Sequence, residues 1–186
     1  MKTMKNISIA TVLALVWLGC SAAPAMGQEN QRSTDRIGVY DSRAIAYAHF
    51  WSGDYQRNLS ERNKSAQEAK AAGQNDRFNE LSAAMKKEQE LNHLQVFSTA
   101  PVDDILAGMK ERVAVIQKEA GVARLVSKWD EKSLAAHKHD EQVDVTDRLL
   151  REFKLNEKQL KVVADLRHKK PLSLERAQEL MRKGEL

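Results

Sequence analysis

The chain has 186 residues, of which 42% are hydrophobic, 30% charged and only 5% aromatic, with a formal net charge of +4. One Cys excludes an intramolecular disulfide framework and any multi-thiolate metal centre, and 8 Gly with 3 Pro argue against a loop-rich all-β fold. A length of this size suits one domain, or a smaller domain with appendages. A composition rich in Lys, Glu, Ala and Gln favours long, thin helices.

The first 27 residues read as an export signal. Lys2 and Lys5 precede an apolar run from Ile7 to Leu18, too short for a comfortable membrane span, and small residues follow. Ala25-Met26-Gly27 places cleavage before Gln28, and Ala23-Pro24-Ala25 places it before Met26. Leu18-Gly19-Cys20-Ser21 looks like part of a bacterial lipoprotein box, with Trp17 where a Leu is usual. Cys20 is therefore either a lipidation site or lost with the signal. Both outcomes take the protein out of the cytoplasm, to the periplasm or beyond. Lys2 and Lys5 account for two of the four net positive charges. The mature chain is then near neutral, which gives no support to nucleic-acid binding.

Residues 28–35 form a polar tether. Arg36-Ile37-Gly38-Val39-Tyr40 reads as a short strand, and Asp41-Ser42 as a helix N-cap. From Arg43 to Ala72 there is no Pro, which predicts one long helix of about 45 Å with Gly53 tolerated inside it. Positions 55, 59, 62, 66 and 69 step by 4, 3, 4 and 3, a coiled-coil spacing. Gly73 suits a left-handed helix stop, with Asn75 or Asp76 capping the return. The return helix, with Phe78, Leu81, Met85, Leu91 and Leu94, breaks around Phe97-Ser98-Thr99-Ala100-Pro101. Thr99 or Ala100 then caps a helix over 102–119, whose stripe is Val102, Ile105, Met109, Val113 and Ile116.

Gly121 ends that helix, and residues 122–128 read as a second strand. The stretch 130–142 is charged and irregular, with a helical turn at Ser133-Leu134-Ala135. A helix over 147–153 follows, then two short helices over 157–168 and 174–183, the last capped by Ser173. The fold class is α+β, mostly α: a long antiparallel helical hairpin, about 43–119, on a small β body of two short strands. Two strands make no stable sheet alone and their edges want partners, so the body is expected to be completed by oligomerisation.

This order resembles the Skp/OmpH family of periplasmic chaperones. The residues that carry the resemblance are Arg36-Ile37-Gly38-Val39-Tyr40-Asp41-Ser42-Arg43, Gly121-Val122-Ala123-Arg124-Leu125-Val126 and Val143-Asp144-Val145-Thr146-Asp147-Arg148-Leu149-Leu150, within 36–153. The chain is also similar to uncharacterised exported bacterial proteins with a like opening strand and a Thr-Ala-Pro-Val break. The family resemblance implies a trimer whose helical arms enclose unfolded outer-membrane proteins. The sequence departs from the family in the break at Pro101, in its near-neutral mature charge, and in about thirty extra residues, 154–186. That extension carries nine Lys or Arg against five acids, suited to an anionic membrane surface.

No phosphate loop, nucleophile elbow or zinc-protease helix is present, and no enzyme activity or cofactor is expected. His137-Lys138-His139-Asp140 reads as a solvated loop, and Asp103-Asp104 as helix-end acids. The arm supplies the candidate client-binding residues Tyr55, Leu59, Phe78, Leu81, Met85 and Leu91. They would form adaptable apolar patches among charges, Met being suited to varied partners. The expected function is holdase binding of unfolded envelope proteins without ATP. The alternative is a non-enzymatic envelope adaptor or structural module, lipid-anchored through Cys20.

Overall fold

The computed structural model describes residues 36–186. The expected export signal, Cys20 and the expected tether over 28–35 lie outside the described residues. The chain is mostly helical around one small sheet. Its elements are β1 (Arg36–Tyr40), α1 (Ser42–Phe50), α2 (Gly53–Ala71), α3 (Asn75–Phe97), α4 (Asp103–Gly108) and α5 (Lys110–Ala120). There follow β2 (Arg124–Ser127), α6 (Glu131–Ala136), β3 (Glu141–Asp144), α7 (Thr146–Arg151), α8 (Glu157–Arg167) and α9 (Leu174–Lys183). No described helix is long and apolar enough to cross a membrane.

The sheet corrects the expected two-strand body. It has three parallel strands in the order β2-β1-β3, with Gly38 opposite both Leu125 and Val143. β3 falls where the sequence suggested an irregular charged stretch. Its four residues, Glu-Gln-Val-Asp, carry one apolar side chain, so no period-2 pattern is visible. Backbone pairing with β1 makes it a strand, and the Arg36–Glu141 ion pair (3.0 Å) joins the two strands. Gly38 admits the close packing above the central strand: a Cβ there would lie 2.7 Å from Leu125 Cδ2 and 3.2 Å from Val145 Cγ2.

The long helix expected over 43–72 is two helices. It breaks at Trp51-Ser52, and Gly53 starts α2 rather than lying within a continuous helix. Ser52 Oγ donates to His49 O (2.7 Å) and accepts from Tyr55 N (3.2 Å), so one hydroxyl closes α1 and opens α2. The environments of the two also differ. Ala44, Ile45, Ala46 and Ala48 of α1 are fully buried, whereas α2 buries only Ala66 and Ala69. α1 is thus the core helix, packed against α3, α7 and α8.

α2 and α3 pack along one another, with Tyr55 opposite Asn92, Arg62 paired with Glu88, and Lys70 over the Phe78 ring. Gly73 between them is left-handed (φ 70°), as its position in the sequence suggests. The N-cap of α3 is Gln74, without a side-chain bond, in place of Asn75 or Asp76.

The helix expected over 102–119 is also divided, at Met109, into α4 and α5, and its cap position is Val102 rather than Thr99 or Ala100. The apolar stripe survives the division: Val102, Ile105 and Ile116 are buried, with Met109 and Val113 packed beside them. The bend before it is tied down. Gln95, itself buried, donates to Pro101 O (3.0 Å) and Asp104 Oδ1 (2.7 Å). Thr99 and Phe97 exchange backbone bonds with Leu172.

Residues 154–186 pack against the rest. α8 lies on α1 and buries Val163, and α9 lies on α3 and buries Ala177. Asn156 and Gln159 form a reciprocal capping box at the start of α8, and Ser173 caps α9.

Candidate functional site

Two places concentrate functional chemistry. The first lies at the carboxyl ends of the three parallel strands, where open α/β sheets commonly bind ligands. Asp41, fully buried, follows β1 and caps α1, its Oδ1 accepting from the Arg43 and Ala44 amides. Trp129 Nε1 donates to Oδ1 (2.9 Å), and Lys128 Nζ lies 2.7 Å from Oδ2. Asp41 N donates to Thr146 Oγ1 after β3, so this carboxylate residue ties all three strand ends together.

Arg43 is 2% exposed. Its guanidinium lies over the Trp129 ring (4.9 Å) and donates to Leu166 O (3.0 Å) and Lys169 O at the end of α8. Burial draws its pKa down, and the Asp41 carboxylate opposes that shift. The carboxylate and guanidinium are enclosed by protein groups and closed to solvent, with Arg43 Nε left without a hydrogen-bond partner among the described residues. The arrangement holds strands, α1 and α8 together; it presents no reactive atom.

The second place is a groove of about 760 Å³ between α1, α2 and α3. Tyr47 and Phe50 of α1 and the following Trp51 form one wall. Tyr55 and Leu59 of α2 and Met85 and Val96 of α3 continue it, and Phe97 closes one end. Tyr47 and Trp51 stack at 5.9 Å, and His93 meets Phe97 edge-on at 6.1 Å. Asn92 Nδ2 donates to Tyr55 OH (2.6 Å), and the Arg62–Glu88 pair lies further along the same helices. Burial is the main influence raising the Tyr55 hydroxyl pKa. The groove is lined mainly by carbon yet open, with Trp51 52% exposed and Phe97 46%.

Of the six residues the sequence nominated, the structure brings Tyr55, Leu59 and Met85 to this groove. Phe78 lies near the α2–α3 connection under Lys70, Leu81 is partly buried, and Leu91 is 41% exposed; none of these three lines the groove. Tyr47, Phe50, Trp51, His93, Val96 and Phe97 were not nominated. The spacing of Tyr47 and Trp51 at i and i+4 before the nominated Tyr55 at i+8 held a signal for two of them. The break at Ser52 turns that stripe from an arm seam into a wall.

A polar cleft of about 680 Å³ lies between the α1–α2 junction and α4, α5 and α7. His49 lines it among the edges of Phe50, Tyr55 and Phe153. Burial lowers the His49 pKa, while the Asp104 and Glu88 carboxylates push it upward. Glu88 is itself held low, chiefly by the Arg62 hydrogen bond.

These two groups give opposite reasons for one acid weakness. His49 binds its proton more readily when unfolded, so stability falls as pH drops below about 6.5. Glu88 stabilises above its unfolded pKa, and that contribution is lost as pH falls through its lower folded value. The melting temperature is expected to be level above neutrality and to fall in two stages on acidification. His49→Phe should abolish the upper stage in a melting series from pH 8 to pH 3; an unchanged upper stage would assign it elsewhere.

His137 Nδ1 lies 2.8 Å from Asp140 Oδ2 and Arg124 lies beside Nε2. Among the described residues no group of three His, Cys, Asp or Glu side chains is placed to hold a metal. Comparison with protein-family models, curated proteins and solved structures finds no match.

Proposed function

We propose that the chain is an exported, non-enzymatic holdase that binds unfolded envelope proteins, with the α1–α2–α3 groove as its client-contact surface. The observation that carries this reading is the open aromatic groove, a concave and mainly apolar surface with a few polar side chains, which is the usual form of a binding site. It has no ATP requirement: release follows competition and folding of the client. α2 and α3 act as the antiparallel hairpin arm implied by the Skp/OmpH resemblance. Among the described residues β2 and β3 end the sheet with unpaired edges, which suit pairing with further subunits, and the resemblance implies three. The nine cations of 154–186 would place the assembly against anionic membrane surface.

The test is dilution of a urea-denatured outer-membrane β-barrel into buffer with and without the mature protein, at low and high salt. Stoichiometric suppression of aggregation is expected. Leu59→Asp with Met85→Asp should weaken client binding by about tenfold or more, because two charges enter an apolar wall. Phe78→Asp, outside the groove, should leave it unchanged. Absence of suppression at several-fold excess would overturn the holdase reading in favour of the adaptor. Mass spectrometry of the mature N-terminus then decides its anchoring, through lipid-modified Cys20 or an unmodified start at Met26 or Gln28.

A further inference from the structure

Two properties of the groove go beyond its apolarity. Its lining contains no carboxylate, and Lys86 is its one lysine or arginine. Lys86 is exposed and makes no ion pair among the described residues. The lining also carries polar side chains in two rows. On α2, Gln56 and Asn63 are seven residues apart; on α3, so are Ser82 and Gln89. Seven helical residues span about 10.5 Å, close to three residues of extended chain at about 3.4 Å each.

Gln56 Nε2 is spent on Phe50 O (2.6 Å). Asn63, Ser82 and Gln89 make no side-chain hydrogen bond among the described residues. A carboxamide offers donors and an acceptor together, and a hydroxyl offers one of each kind. Such groups complement a free main chain, whose N–H and C=O alternate. A docked α-helix has already satisfied those groups internally, and a lipid acyl chain has none. The combination of apolar walls, uncommitted amides and a single lysine therefore selects among possible occupants.

We infer that the groove takes an extended, apolar segment of unfolded polypeptide bearing a carboxylate that meets Lys86, its main chain hydrogen-bonded by Asn63 and Gln89. This rests on the reading that the groove holds unfolded clients, and it names which segments are held. Segments with acidic flanks bind in preference to those with basic flanks, and main-chain pairing makes recognition tolerant of side-chain order, as in other extended-peptide sites.

The test uses fluorescent-peptide anisotropy with the full mature chain. Three peptides share one alternating aromatic and polar core and carry Glu, Gln or Lys flanks; a fourth has the Glu flanks and N-methylated core amides. The Glu peptide is expected to bind about fivefold more tightly than the Lys peptide at low salt. Lys86→Glu should reverse that order. N-methylation should weaken binding about tenfold in the parent protein. Asn63→Leu with Gln89→Leu, verified as folded by circular dichroism and melting, should erase the difference between methylated and unmethylated peptides. Equal binding of all flanks, unmoved by Lys86→Glu, overturns the acid pairing while leaving the groove reading intact. Undiminished binding of the methylated peptide overturns the extended main-chain pairing. Failure of every peptide, together with full client suppression by the Leu59→Asp, Met85→Asp protein, overturns the groove reading itself.

Discussion

Arg43→Met is expected to destabilise the fold by about 3–5 kcal/mol, the usual consequence of breaking a buried ionic group. Arg43 is within hydrogen-bond reach of Leu166 O and Lys169 O, and its Nε lies 3.9 Å from Asp41 Oδ1. Its loss strands two carbonyls at the end of α8 and leaves the buried Asp41 carboxylate with Lys128 as its remaining cation. Met fills part of the stem volume and satisfies neither carbonyl. Arg43→Lys is expected to recover little, because one ammonium cannot reproduce a planar fork stacked on Trp129. Urea denaturation gives the magnitude, and amide hydrogen exchange locates it. α8 should lose protection before the sheet does. A loss under about 1 kcal/mol, with α8 protection intact, would mean that the segment is held by Val163 and its neighbours alone.

Ile45→Ala is expected to destabilise the protein by about 2–5 kcal/mol. Ile45 is fully buried on α1, in one cluster with Val102 and Ile105 at α4, Leu149 of α7 and Val163 of α8, three other places in the chain. A cavity there has few ways to collapse, since α1 is held by α3, α7 and α8 at once. By contrast, Ala substitutions along the outer face of α2 should stay within about 0.5 kcal/mol. Chemical denaturation of both sets checks the contrast. Equal effects would put α1 on the arm, as the sequence suggested, rather than in the core.

That contrast explains how groove and core relate. α1 directs Ile45 and its small neighbours into the core, while Tyr47, Phe50 and the following Trp51 reach the groove. A rigid helix thus forms the wall of an open site. The wall is positioned by packing, and the facing residues of α2 and α3 belong to more exposed helices. Binding surfaces of this kind draw on the less stable end of a fold for adaptability.

Much of the local structure was legible. β1 and the Asp41 cap are as the sequence suggested, because a short apolar run before Asp-Ser is a strong local signal. The same holds for the left-handed Gly73, for the helix stop at Gly121 and for the two short helices α8 and α9. Three of six nominated contact residues, Tyr55, Leu59 and Met85, share the groove, since helical spacing alone puts them on inward faces.

The rest depended on contacts between residues distant in sequence. β3 is a strand because β1 pairs with its backbone, not because Glu-Gln-Val-Asp prefers to be one. The Ser52 break was masked by a helical pattern that continues across it, and the differing burial of α1 and α2 gives it meaning. Trp51 and Phe97, 46 residues apart, form one groove only when α1 and α3 pack. Arg43 looked like an ordinary first-turn residue; its role comes from carbonyls more than 120 residues away. The sequence by itself determined β1, the Asp41 cap, the left-handed stop at Gly73 and the spans of α8 and α9, because caps, glycines and periodicity act over a few residues. Only the tertiary structure decided which helix is core, which strand completes the sheet and where the aromatics gather, because burial is a property of the whole chain.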